Sequence, residues 1–257
     1  MKRASRYSAI AVLMLGLPSL YGCGEEVRGE AGAGTASARD ARQLIAIIDF
    51  SASQTEAARR AARAYLEDAV AALGYGDQLI LLEMHRLAAR DSVRVFARDM
   101  PQPRRAGQET SFDLQALNAA RHAILETLPI FFDPSIVGRV ATTDVHSTLQ
   151  IASELQRDAA GRKKQILLLS DMLQSTPGIE MDGLRRMPGA EWVRLRKAEG
   201  TLPDLSGSCV MVVGADATTA AGQQVRRFWE AYFREAGARL DARDYRLIPP
   251  LQEVLSC

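Results

Sequence analysis

The stretch "QLIAIIDFSASQTEAARRAARAYL", residues 43–66, decides how this chain is read. Its first half, Leu44 to Ile48, is an unbroken apolar run that reaches Asp49, the pattern of a strand buried on both faces. Its second half begins a repeat of apolar residues at helical spacing, Ala58, Ala62 and Leu66, which continues past it through Ala69 and Leu73 until Gly74 stops it. Between the two lie an acid and two hydroxyls at alternate positions, Asp49, Ser51 and Ser53. Serines here are good helix caps. Together with an acid at a strand end, they are also oxygen donors suited to a small cation.

Outward from this stretch, strand and helix signals alternate. "QLILLEMHRL" (78–87) and "DSVRVFARDM" (91–100) read as two strands with too short a gap for a crossover helix, so one of them runs antiparallel. After Pro101, Pro103 and Gly107 a helix starts near Thr110, with Asp113 completing a capping box and a buried stripe of Leu114, Leu117, Ala120, Ile124 and Leu128. Another runs from about Asp144 to Asp158. "KQILLLSD" (164–171) is a second apolar strand that closes on an aspartate, and "SCVMVVGAD" (208–216) is a third. The segment 174–207 is long and holds a short helix around Ala190 to Ala198. A helix carrying Val225, Phe228, Trp229, Tyr232 and Phe233 ends at Gly237, and "YRLIPP" (245–250) is an edge strand because its prolines donate no ladder hydrogen bonds. The expected fold is α/β: a doubly wound, mostly parallel open sheet with one antiparallel edge strand.

The 257 residues, 47% of them hydrophobic, suit one sizeable domain, and a net charge of +1 argues against a nucleic-acid partner. That charge depends on Lys2, Arg3 and Arg6. Residues 1–22 contain no acid, so their removal takes +1 to −2. "MKRASRYSAIAVLMLGLPSLYGC" has a basic start and an apolar stretch too short to span a bilayer, which reads as a secretory signal over 1–22. Leu20-Tyr21-Gly22-Cys23 resembles the bacterial lipobox, which implies lipidation of Cys23 and a membrane anchor. No aspartate follows Cys23; by resemblance to Gram-negative lipoproteins this favours the periplasmic face of the outer membrane. Residues 23–42 are Gly, Ala, Ser and charge and read as a flexible tether, with the domain at 43–257. An exported compartment also permits a disulfide between Cys209 and Cys257, although Cys209 opens an apolar run and reads equally well as a buried thiol.

In an open α/β sheet, ligands bind beyond the carboxyl ends of the strands where strand order reverses. Asp49 and Asp171 both end strands, and Thr142 and Thr143 open the helix before the Asp171 strand. A hard cation takes oxygen ligands: hydroxyls of Ser51, Ser53 and Thr143 directly, with Asp49 and Asp171 balancing charge through bound waters. Asp49-x-Ser51-x-Ser53, then Thr143, then Asp171 closing an apolar strand resembles the metal-ion-dependent adhesion site of von Willebrand factor type A domains, over roughly residues 43–250. The resemblance implies Mg²⁺ or Mn²⁺ as cofactor and a protein partner whose acidic residue completes the metal shell. Met172 departs from it, since the family often has Gly after that aspartate, and the doubled threonine leaves Thr142 as the alternative ligand.

Two other functions compete. One is a metal-independent scaffold in an envelope assembly, with the serines as plain caps. The other is a metal-dependent hydrolase or phosphatase, which is disfavoured because the chain lacks a phosphate loop, a GxSxG elbow and an HExxH helix, and because Ser51 stands where haloacid-dehalogenase-like phosphatases carry a second aspartate. The expectation is therefore a binding module rather than an enzyme. His85 and His122 have no Cys or Asp at metal-ligand spacing, so no zinc site is expected, and His146, one turn from Thr143, reads as a lone surface residue. The aromatic cluster around Trp229 reads as core. Asp91, Asp99 and Asp113 read as solvated turn or cap residues.

Overall fold

The computed structural model describes residues 40–49, 51, 53–84, 93–133, 143–159 and 161–248. The signal 1–22, Cys23 and most of the tether lie outside the described residues, as do His85, Asp91, Thr142, Pro249, Pro250 and Cys257. No described helix is long and apolar enough to cross a membrane.

The chain order is β1 (Arg42–Asp49), α1 (Glu56–Ala71), β2 (Gln78–Met84), β3 (Val95–Asp99), α2 (Ser111–Phe131), α3 (Val145–Gln156) and β4 (Lys163–Leu169). A small hairpin follows, β5 (Ser175–Thr176) and β6 (Ile179–Glu180), then α4 (Ala190–Ala198), β7 (Ser208–Val213), α5 (Ala220–Glu235) and β8 (Tyr245–Arg246). Six strands form one sheet in the order β3-β2-β1-β4-β7-β8. All neighbours pair in parallel except β2 and β3, so β3 is the antiparallel edge strand that the short gap after β2 requires.

Alternation along β1 builds both layers. Ile45 and Ile47 face a core shared with α3 and α5, including Val145, Leu149, Phe228, Trp229 and Tyr232. Leu44, Ala46 and Ile48 face the other core, with Tyr65, Leu66 and Val70 of α1 and Leu117, Ile124 and Leu128 of α2. The run had to be continuously apolar because helices cover both of its faces. Strand order reverses between β1 and β4, which puts their carboxyl ends, and hence Asp49 and Asp171, at one crevice.

Several expectations need correction. Leu114 is 52% exposed, because the buried stripe of α2 centres on Leu117, Ala120, Ile124 and Leu128 and leaves residue 114 at its outer edge. Ala58 is only half-buried. Asp113 is buried rather than solvated: it accepts from both the N–H and the hydroxyl of Thr110, and the reciprocal cap bond is present. Strand β1 begins at Arg42, whose guanidinium donates to the buried Asp77 at 2.8 Å, so Arg42 belongs to the domain and not the tether. The last strand is confined to Tyr245–Arg246. The segment 174–207 holds its helix at Ala190–Ala198, as expected, and also contributes to the core. Ile179, Met181, Val193 and Leu205 are all buried in the α3–α5 core.

Candidate metal centre

The β1–α1 connection turns sharply, and Asp49 fixes the turn by accepting the Ser51 N–H at 2.8 Å. Helix α1 is capped separately, by the Thr55 hydroxyl accepting from the Ala58 N–H. Ser51 and Ser53 are therefore not spent on capping. Their hydroxyl oxygens lie 2.8 Å apart, and the Ser53 hydroxyl is near enough to the Asp171 carboxylate to favour its ionised form. Asp49, Ser51, Ser53 and Asp171 thus form one continuous set of contacts at the rim of the sheet. The structure brings these four together. Thr143 is buried at the start of the loop into α3, with its carbonyl accepting the Ser175 N–H at 2.9 Å. Among the described residues, no hydrogen bond joins Thr143 to the other four.

Both carboxyls resist ionisation. Burial pushes Asp49 up to about 6, the nearby charge of Asp171 adds to this, and hydrogen bonds from Ser170 and Ser51 offset only part. Burial also raises Asp171; the Ser53 hydroxyl and a bond from the Leu173 N–H oppose the shift, while Asp182 adds to it. Among the described residues, no cationic side chain acts on either group. A buried acid, Asp49, beside a half-buried one, Asp171, with no counter-charge among the described residues and with hydroxyls around them, offers oxygens of the type that a hard divalent cation takes. Among the described residues, no three His, Cys, Asp or Glu side chains cluster as metal ligands. Any ion here would depend on the hydroxyls for the rest of its shell.

Sequence reasoning missed three residues. Ser170 is completely buried; its hydroxyl donates to Asp49 Oδ2 at 2.7 Å and accepts the Met172 N–H at 2.9 Å, so one side chain sets both loops. Its signal was a lone polar residue in "ILLLSD". Gln174 is buried and locks the Thr143 loop to the Asp171 loop, accepting the His146 N–H at 3.2 Å and donating to Asp144 Oδ1 at 3.1 Å. His146 is 9% exposed, not on the surface. Its Nδ1 is 2.7 Å from the Tyr232 hydroxyl and its ring meets the edge of Trp192 at 5.1 Å. Trp192 comes from α4, and nothing in the helical pattern of α3 shows that α4 folds over it.

Met172 takes a left-handed backbone with φ 65°, the conformation for which Gly is favoured at this position. Its side chain is wholly buried, and its carbonyl accepts the Trp229 indole N–H at 2.8 Å, so packing holds the strained residue in place. Cys209 is disulfide-bonded; its expected partner, Cys257, lies outside the described residues.

Strand order, the antiparallel edge and the shared crevice agree with the architecture that the resemblance implied. The fold resembles that of von Willebrand factor type A domains. No protein-family model and no curated protein matches the sequence. Among solved structures, the pilus adhesin SpaC from Lactobacillus rhamnosus GG is 13% identical, with 85% of this chain and 29% of that one covered, at a TM-score of 0.49. A von Willebrand factor type A protein from Catenulispora acidiphila is 14% identical over 84% of this chain and 41% of that one, at 0.42. Manganese-loaded TRAP from Plasmodium vivax is 11% identical over 84% and 71%, at 0.44. The chain thus spans less than half the length of the first two.

Proposed function

We propose that this type A-like domain is an exported, lipid-anchored module that binds a protein partner through a divalent cation. The observation that carries this reading is the pair of neighbouring carboxylates, Asp49 buried and Asp171 half-buried, with no cationic partner among the described residues and with the hydroxyls of Ser51 and Ser53 between them. A bound Mg²⁺ or Mn²⁺ would supply an open coordination position for a carboxylate of the partner. The chain does the rest. Asp49 and Asp171 offer the negative charge, Ser51, Ser53 and Thr143 offer neutral oxygens, and Ser170 holds Asp49 in orientation. Few charged ligands would leave the ion electron-poor, which favours an external acid. Cys23 is proposed as the lipidated residue, placing the domain at the periplasmic face of the outer membrane on a tether that reaches roughly 60 Å when extended.

A metal-independent scaffold is the competing reading. It is favoured by the way the serine hydroxyls already satisfy one another and Asp49. Affinity capture from detergent-solubilised membranes, with and without chelator, separates the two. The proposal expects partners that are lost in chelator and lost with Asp49→Ala; unchanged capture under both conditions would contradict it.

A further inference from the structure

A cleft of about 310 Å³ opens beside Asp171, between the β1–α1 turn, the 181–184 turn and the first turn of α5. Its apolar lining comes from Leu173, Met181, Leu184, Val225, Tyr245 and Leu247. Three carboxylates line it as well, Asp171, Asp182 and Asp216, and among the described residues no Lys, Arg or His does. Asp182 is exposed, and its charge acts on Asp171. Asp216 is held ionised: the hydroxyl and N–H of Thr218 donate to it at 2.6 and 2.7 Å and keep its carboxyl below the usual range. The wall is tightly built. A Cβ on Gly222 would stand 1.9 Å from the Asp216 carbonyl oxygen, so only glycine lets α5 approach this loop.

We propose that this cleft seats a lysine or arginine side chain of the protein partner, its aliphatic stem on the apolar lining and its cationic head toward Asp182 and Asp216. An apolar side chain would bury the lining but leave the acids without a counter-charge, and an acidic one would be repelled. Long basic side chains combine both halves of the match, burying the stem and keeping the head at the polar rim. The volume sits at the small end of pockets that take whole ligands, which suits one inserted side chain. The inference rests on the proposed function only in taking the partner to be a protein, and it needs no cation. A partner using both sites would carry an acid and a base close together.

The test is an amide NMR titration of the full chain in detergent micelles containing EDTA, with N-acetyl-arginine amide and its uncharged isostere N-acetyl-citrulline amide as probes. The arginine probe should shift Gly183, Gly214 and Gly222 saturably and several-fold more tightly than citrulline. Asp182→Asn, at an exposed position, should weaken it roughly two- to fivefold. Equal binding of the two probes, no shift at these glycines, or undiminished binding to Asp182→Asn would each overturn the proposal. A separate Mg²⁺ titration read at Ser51, which does not line the cleft, reports on the cation site, so failure of one reading is distinguishable from failure of the other.

Discussion

Asp49→Asn separates two titrations that oppose each other over one pH window. In metal-free protein the Asp49 carboxyl moves from 3.8 to about 6, through burial and then through Asp171. Between those values the folded protein keeps a proton that the unfolded chain has released, so stability falls as pH rises. The interval corresponds to about 3 kcal/mol, all of it lost by neutral pH. His146 acts in the other direction. Its ring is pushed from 6.5 down to about 4 by burial, with Asp144 opposing and Arg196 adding to the shift. As pH falls the unfolded chain is protonated first, so stability rises with pH between those values, again by about 3 kcal/mol. The two contributions nearly cancel in the wild type.

Urea unfolding in EDTA, followed by tryptophan fluorescence at about pH 4.5 and at neutral pH, takes the wild-type pH dependence as the reference for two variants. Asp49→Asn should gain stability on going to neutral pH, on the order of 10 °C if read as Tm. His146→Asn, which keeps a polar atom near Tyr232, should lose it. Acids held below their usual range, such as Asp204 and Asp216, are common to all three proteins and drop out of the comparison. Identical pH slopes in all three would refute the assignment of buried proton sites to Asp49 and His146.

At Met172 the usual ranking of small residues should invert. Both Gly and Ala vacate a buried site, but only Ala keeps the strained φ of 65°, so Met172→Gly should be about 1 kcal/mol more stable than Met172→Ala by chemical denaturation. Gly222→Ala should cost about 3 kcal/mol, because the loop carrying Asp216 must move to admit the methyl group, and calorimetry would show the lowered Tm. Cys23→Ser should abolish partition of the protein into the detergent phase of a membrane extract; retention there would remove the lipid anchor from the account.

The layout of the fold was legible because its determinants are local. "LIAIIDF" and "ILLLSD" could only be strands covered on both faces, and the short gap after β2 forced an antiparallel edge. The acid and hydroxyl set was legible because each member sits at a strand end or helix start, where backbone geometry alone aims it at the crevice. What stayed hidden depends on contacts between distant segments. Ser170 matters because it sits under Asp49, 121 residues away in sequence. Burial of His146 depends on Trp192, brought over it by α4, and on Tyr232 of α5. Leu114 fits the apolar spacing of α2 yet faces outward, since periodicity fixes a stripe only to within the width of one residue.

The most direct measurement is calorimetric titration of Mg²⁺ and of Mn²⁺ into chelator-stripped protein, wild type beside Asp171→Asn. One saturable site in the wild type, lost in the variant and accompanied by proton release near pH 6 as Asp49 ionises, is the predicted result. Absence of binding at millimolar metal, or a site that survives the loss of Asp171, would contradict the cation-bridging account.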